Sequence, residues 1–150
     1  MSHLDKYKLL ADEQHGFRKR RSCESQLLLT VNDLAKGLDS GEQMDVILLD
    51  FAKAFDKVPH KHLLTKLDYY GIRGQTKAWI ASFLVNRQQQ VLLDGSTSSP
   101  ADVQSGVPQG TVLGPLLFLV FINDLAALAT SSARLFCQRL HTIQENSHTV

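Results

Sequence analysis

Cysteine is nearly missing from this 150-residue chain, with Cys23 and Cys137 as the two present. Two cysteines cannot build a disulfide framework, and they lack the paired spacing of a zinc site, so a reducing compartment is expected. Neither sign of charge dominates: Lys plus Arg number 16 and Asp plus Glu 15, for a net +1. That balance excludes a strongly basic nucleic-acid module and, equally, an acidic disordered chain. Long hydrophobic runs are missing too. The longest, Leu116–Ile122, is seven residues and meets Asn123 and Asp124, against the roughly 20 that a membrane span requires. No membrane association is therefore expected. The opening MSHLDKYKLLADEQ lacks the apolar stretch of a secretory signal, so an intracellular location, nucleus or cytoplasm, is expected. The chain has no GxxxxGK phosphate loop, no GxGxxG fingerprint and no GxSxG elbow. Its histidines, His3, His15, His60, His62, His141 and His148, form no compact zinc arrangement with cysteine.

What is present is enough apolar material, 43% of residues, for one hydrophobic core. Residues 1–80 hold 13 basic and 11 acidic residues, whereas residues 81–150 hold three and four, so the second half is the more apolar. Leu27, Val31, Leu34 and Leu38 recur at helical spacing and predict an amphipathic helix over Ser25–Leu38 that packs by that stripe. Met44–Phe51 reads MDVILLDF, the near-continuous apolar run of a central strand covered on both faces. AKAFDKVP is a turn held short by Pro59. Helices follow over His60–Tyr70, with Leu63, Leu64, Leu67 and Tyr70 inward and Gly71 as the stop, and over Thr76–Val85, with Trp79, Ile80, Phe83 and Leu84 inward. This pair is expected to cover one face of a sheet. Gln88–Leu93 and Ala101–Gln104 flank GSTSSP as a hairpin. SGVPQGTVLGP then leads into LLFLVFINDLAALA, a buried helix over residues 115–129, and the polar last ten residues are expected to fray.

Asp50 ends the apolar strand, where packed backbone would hold a carboxylate rigidly. It either closes the strand by hydrogen bonding in the turn or offers oxygens to a hard cation such as magnesium. Asp56 either caps the helix near Pro59 and His60 or joins that site, and Asp45 projects to the opposite face. Phe51 and Phe55 suit a core, although an aromatic at 55 could wall a pocket by bulk. In Ser105–Gly110, glycines permit close approach of a ligand and Gln109 carries both donors and an acceptor. Arg18, Lys19, Arg20 and Arg21 form a run of cations beside Phe17, either solvated surface or a contact to a nucleic-acid backbone.

Taken together, QHGFRKRRSCESQLL, DVILLDFAKAFDKVPH and SGVPQGTVLGPLLFLVFINDL resemble the reverse transcriptases of non-LTR retrotransposons, in order, over about residues 10–136. The last two strings resemble that family's motifs A and B. The resemblance implies an α/β (α+β) fold, a partial right-hand polymerase palm in which an antiparallel sheet packs against helices. Residues 1–136 would form a partial reverse transcriptase domain, with a fingers remnant, and 137–150 a divergent polar tail. It further implies RNA-directed DNA polymerisation by nucleotidyl transfer to a primer 3′ hydroxyl, with an RNA template, a DNA primer, deoxynucleoside triphosphates and magnesium as partners. Asp50 corresponds to the first catalytic, metal-binding aspartate and Phe51 to a backbone carbonyl that completes coordination. Phe55 resembles the ring that excludes a ribose 2′ hydroxyl. Gln109 and Gly110 resemble the loop along the incoming nucleotide, and Asp56, Pro59 and His60 resemble supports of the turn.

The match breaks at the family's motif C, where an alanine and two adjacent aspartates should follow an aromatic approach. Leu135 and Phe136 match the approach, but Cys137, Gln138 and Arg139 occupy the places of the alanine and the acids. Paired divalent ions repel unless several anionic ligands hold them, so an inactive polymerase remnant is expected. The family's early finger motifs, thumb and nuclease are expected to lie outside the chain, and a frameshift or altered splice would explain the abrupt loss. Two other readings stay open: a non-catalytic nucleic-acid-binding or interaction remnant using Arg18–Arg21, and an unstable pseudogene product.

Overall fold

The computed structural model describes residues 2–136 and 139–146. It is a mixed α+β fold in which a small antiparallel sheet packs against helices. The chain divides into two compact units, residues 1–52 with 122–150, and residues 53–121.

In the first unit a one-turn helix α1 (Ser2–Lys6) precedes the long helix α2 (Cys23–Asp39). Ser22 caps α2 through a reciprocal capping box with Ser25, satisfying backbone donors that the helix itself leaves open. Strand β1 (Gln43–Asp50) follows. Numbered in chain order, the closing hairpin is β6 (Ser132–Phe136) and β7 (Arg139–Asn146), and the sheet order is β1-β7-β6. The register runs from Gln43 opposite Asn146 to Asp50 opposite Arg139. Beyond β6, Gln14 forms a parallel bridge with Leu135, reinforced by Leu135 N–H donating to Glu13 O at 2.9 Å and His15 N–H donating to Leu135 O at 3.0 Å. The outer edge of β6 is thereby bridged at Leu135. Asn123 ties the amino-terminal segment down: its Oδ1 accepts from Ala11 N–H and its Nδ2 donates to Leu9 O, each at 2.7 Å.

Two expectations for this unit are reversed. The buried side of α2 is Gln26, Thr30 and Gly37, while Leu27, Val31 and Leu38 of the apolar stripe face solvent, Leu38 at 71% exposure. Thr30 Oγ1 donates to the Gln26 backbone carbonyl at 3.0 Å, whereas the Gln26 side-chain amide is buried without a hydrogen-bond partner among the described residues. Asp33 pairs with Arg134 of β6, and at Gly37 an added Cβ would collide with the thioether of Met44. Strand β1, expected to be central and covered on both sides, has β7 as its one neighbouring strand among the described residues and is exposed along nearly its whole length. A third difference lies at the far end. Residues 141–146, expected to fray, continue β7 and pair with β1. Main-chain pairing does not need apolar side chains, and Thr142 and Ile143 are β-branched. Residues 147–150 lie outside the described residues.

In the second unit α3 (His60–Tyr69) and α4 (Gly74–Leu84) pack together through Leu63, Leu67, Tyr70, Ile80 and Leu84, with Gly71 at φ 77° just past the α3 cap. Complete burial of Leu63, Leu67 and Leu84 contributes about 1.5–3 kcal/mol each before entropy. Trp79, expected inside, is exposed and stacks on Phe83. Within their own unit the two helices cover no sheet of more than two strands among the described residues. The hairpin expected near GSTSSP is nested, with β2 (Arg87–Gln89) against β5 (Ala101–Val103) and β3 (Leu92–Leu93) against β4 (Ser96–Thr97). Its turn is Asp94–Gly95, both at positive φ, the pairing that matches strand twist. Helix α5 (Leu113–Ile122) buries Leu117, Phe118, Leu119 and Val120 and stops at Ile122, well short of Ala129. Asn123 ends it by turning to the backbone partners described above, and a 3-10 turn, Ala126–Leu128, follows.

Candidate functional site

The most tightly organised polar feature lies in the second unit, where the turn after β1 meets the loop before α5. Val107 N–H donates to Phe55 O and Gly106 N–H to Val58 O, both at 2.8 Å. Ser105 Oγ donates to Asp56 O at 2.7 Å, and Gln109 Nε2 donates to Asp56 Oδ1 at 3.2 Å. Gly106 makes the approach possible, since it has φ 88° and its Cα lies against the Asp56 backbone. From the other side its carbonyl accepts from His60 Nε2 at 2.9 Å and from the Arg87 guanidinium at 2.8 Å. Arg87 also donates from Nε to Leu84 O at 3.0 Å, so the end of α4 positions the clamp. A cleft of about 770 Å³ opens beside these groups, lined by Lys53, Asp56, Arg87, Gln88, Gln104 and Gln109 among others.

The turn and loop singled out in the sequence are therefore joined, with Asp56 and His60 as the supports. Phe55 is only 9% exposed and stacks on Phe118 of α5, ring centroids 4.3 Å apart. Gly110 has φ 76° and open space where a side chain would project. Arg87 gave no signal in the sequence: it follows a helix end without a motif, and its partner is a carbonyl 19 positions away.

In the first unit Asp50 closes β1, exposed, directly opposite Arg139 of β7, and Phe51 follows it, also exposed. Cys137 and Gln138 lie outside the described residues. Among the described residues no group of three or more His, Cys, Asp or Glu converges as a metal site.

The basic run divides in two. Arg18 donates to Ala11 O at 2.6 Å, and Arg21 binds Asp12 through its backbone carbonyl and, at 2.8 Å, its carboxylate. Lys19 and Arg20 are exposed. Beneath them the buried His15 sits with its Nδ1 3.2 Å from Ser25 Oγ. Burial, then the charges of Arg21, Arg134 and Arg18, pull its pKa below the ordinary value.

Comparison with known sequences gives this geometry its context. The profile of the reverse transcriptase (RNA-dependent DNA polymerase) family matches residues 1–143, a span that includes Cys137, Gln138 and Arg139. The chain is 35% identical over 124 residues to the probable RNA-directed DNA polymerase from transposon BS of Drosophila melanogaster, covering 79% of this chain and 13% of that protein. It is 38% identical over 112 residues to the RNA-directed DNA polymerase from mobile element jockey of Drosophila funebris, covering 75% and 12%. A Pol polyprotein from the type-1 retrotransposable element R2 of Popillia japonica is 31% identical over 85 residues, 57% and 14%. The chain thus spans about an eighth of the length of the first two relatives. With nearly its whole length matched by the family and its relatives encoded by transposable elements, the chain belongs to the reverse transcriptase family, on the side of the non-LTR retrotransposons.

Proposed function

We propose that this chain is the palm-derived part of an RNA-directed DNA polymerase in which nucleotidyl transfer has been lost. The observation that carries the reading is the register of Asp50. By the family resemblance Asp50 takes the first metal-binding position, at the end of β1, and the residue in register with it on the neighbouring strand is Arg139, at a place where the family reaction needs a second carboxylate. Two magnesium ions a few ångströms apart require several shared anionic oxygens. Asp50 with the Phe51 carbonyl does not make such a set, and an arginine at the facing position adds a charge of the wrong sign. The donor set therefore does not fit the paired ions of the family reaction.

What the residues retain is the nucleotide-side architecture. Phe55, locked on Phe118, would supply the bulk that reads the sugar, and Gln109 and Gly110 would line the incoming nucleotide, held by Asp56, His60 and Arg87. Primer extension on an RNA template with magnesium or manganese, comparing the chain with Asp50→Ala, tests the loss. Equal background in both is expected; synthesis by the natural chain that disappears in Asp50→Ala would overturn it.

A second reading, nucleic-acid retention without turnover, is favoured by the exposure of Lys19 and Arg20. Filter binding across salt concentrations tests it: retention that falls with salt, and is removed by neutralising Arg18–Arg21, supports it. Binding indifferent to those substitutions sinks it.

A further inference from the structure

The inward side of α2 forms a polar seam against β6. Gln26, Thr30 and Asp33 recur at helical spacing, so their side chains share one face of the helix. Arg134 of β6 enters the seam through its ion pair with Asp33. Toward the start of the helix, His15 Nδ1 lies 3.2 Å from Ser25 Oγ, the residue just before Gln26. The bridge of Gln14 to Leu135 sets those two residues on one face of the sheet, and alternation sends their neighbours His15 and Arg134 to the other, toward α2. After burial and Arg21, the charge of Arg134 lowers the His15 pKa further, so the guanidinium acts along the seam from Asp33 toward Ser25, past Gln26. In this seam Gln26 Oε1, Gln26 Nε2 and Arg134 Nε have no hydrogen-bond partner among the described residues. Gln26 is 3% exposed, so bulk solvent does not reach its amide. Polar atoms left dry forfeit the hydration they hold in the unfolded chain, a cost that native folds rarely carry.

We propose that water is bound inside this seam as a structural ligand, accepting from Arg134 Nε–H and bonding both ends of the Gln26 amide. The chemistry of the seam selects water over other small ligands. The atoms to be satisfied are two donors and one acceptor, and water both donates and accepts. Asp33 already pairs with Arg134, while the amide carbonyl would repel an anion and the guanidinium a cation, so neither kind of ion fits. An apolar guest would leave all of these atoms unpaired. Bound water thus explains how a helix that turns leucines outward is fastened to the sheet by its polar side. This inference is independent of polymerase chemistry, because it concerns the interior of the first unit alone.

Water–protein Overhauser spectra of the 150-residue chain are expected to connect the Gln26 side-chain amide protons and Arg134 Nε–H to a long-lived water, with the sign that separates it from proton exchange and from passing hydration. Gln26→Met keeps an unbranched side chain of similar length and removes the amide. It is expected to erase the water contact of Arg134 Nε–H and to lower the folding equilibrium constant about threefold to tenfold, the worth of a satisfied hydrogen bond. A Gln26→Met chain at least as stable as the natural one would overturn the proposal, because removing a dry, unpaired amide relieves a cost. Gln26 amide protons without a long-lived water contact would overturn it too, and that result is read on the natural chain whether or not the variant folds.

Discussion

Gly106 lies so close to Asp56 that a Cβ on the glycine would sit 2.7 Å from both the Asp56 Cα and its carbonyl oxygen. The contact is backbone to backbone, so neither partner can swing away, and the glycine holds φ 88°, outside the comfortable range of other residues. Gly106→Ala is therefore expected to cost more than about 2 kcal/mol, from the positive φ and the collision together. Urea unfolding followed by circular dichroism checks it; a change under about 0.5 kcal/mol, the range of an ordinary surface substitution, would show that the loop is not fixed there.

The Gly106 carbonyl accepts from His60 and from the Arg87 guanidinium, so the two donors share one acceptor and one loop. Arg87→Ala is expected to destabilise by about 1.5–3 kcal/mol, the range for a hydrogen bond to a charged group. Arg87→Lys is expected to recover only part of that loss, because a single ammonium cannot reproduce the guanidinium fork that also reaches Leu84 O. Combining Arg87→Ala with His60→Ala should cost less than the two losses added, since both act on the same carbonyl. Strict additivity would mean that they work independently.

His15 sets a pH dependence whose sign follows from its environment. Burial, then Arg21, Arg134 and Arg18, hold its folded pKa below 6.5. As pH falls below that ordinary value, the unfolded chain takes up the proton before the folded chain does. Stability conferred by the neutral ring is thus full above about pH 6.5 and declines as pH falls toward the folded pKa. Unfolding midpoints between about pH 7.5 and 5.5 should fall in the natural chain and fall less in His15→Gln; parallel slopes in the two would remove His15 as the cause.

The two faces of α2 are expected to respond in the opposite order from their hydrophobicity. Leu27→Gln alters a residue of the apolar stripe that is 63% exposed and should stay within about 0.5 kcal/mol of the natural chain. Thr30→Leu forces bulk into the buried side and removes a hydroxyl bonded to Gln26 O, and is expected to cost about 1–3 kcal/mol. Reversal of that order in thermal melts would restore the apolar stripe as the packed face.

These results show what a sequence pattern can convey. Where one local cause decides, it was readable: the apolar spacing of Leu63, Leu67 and Tyr70 placed α3 with its buried face, Gly71 marked its stop, and the small and turn-forming residues around Gly95 marked the hairpin. Where a distant partner decides, it was not. The inward face of α2 follows from Asp33 meeting Arg134 and from Met44 lying over Gly37, neither visible in a hydropathy pattern. An apolar run such as MDVILLDF says that a strand wants covering without saying whether this chain supplies the cover. The same applies to the candidate site. The turn at Asp56 and the loop at Gln109 stood out as strings, but Arg87, which holds the loop, does so by donating to backbone carbonyls, which leave no motif.

The bridge between Gln14 and Leu135 joins residues at nearly opposite ends of the chain, and β1 waits for β7 across a comparable interval. Emerging from a ribosome, residues 53–121 would complete their own contacts while the earlier unit still lacked both of its partner strands. Closure over so long a loop is slow, because its entropy must be surrendered before any pairing compensates it. For the whole of that delay the aliphatic run of β1 would stand without β7, which makes synthesis, rather than the finished fold, the stage at which this strand is most exposed.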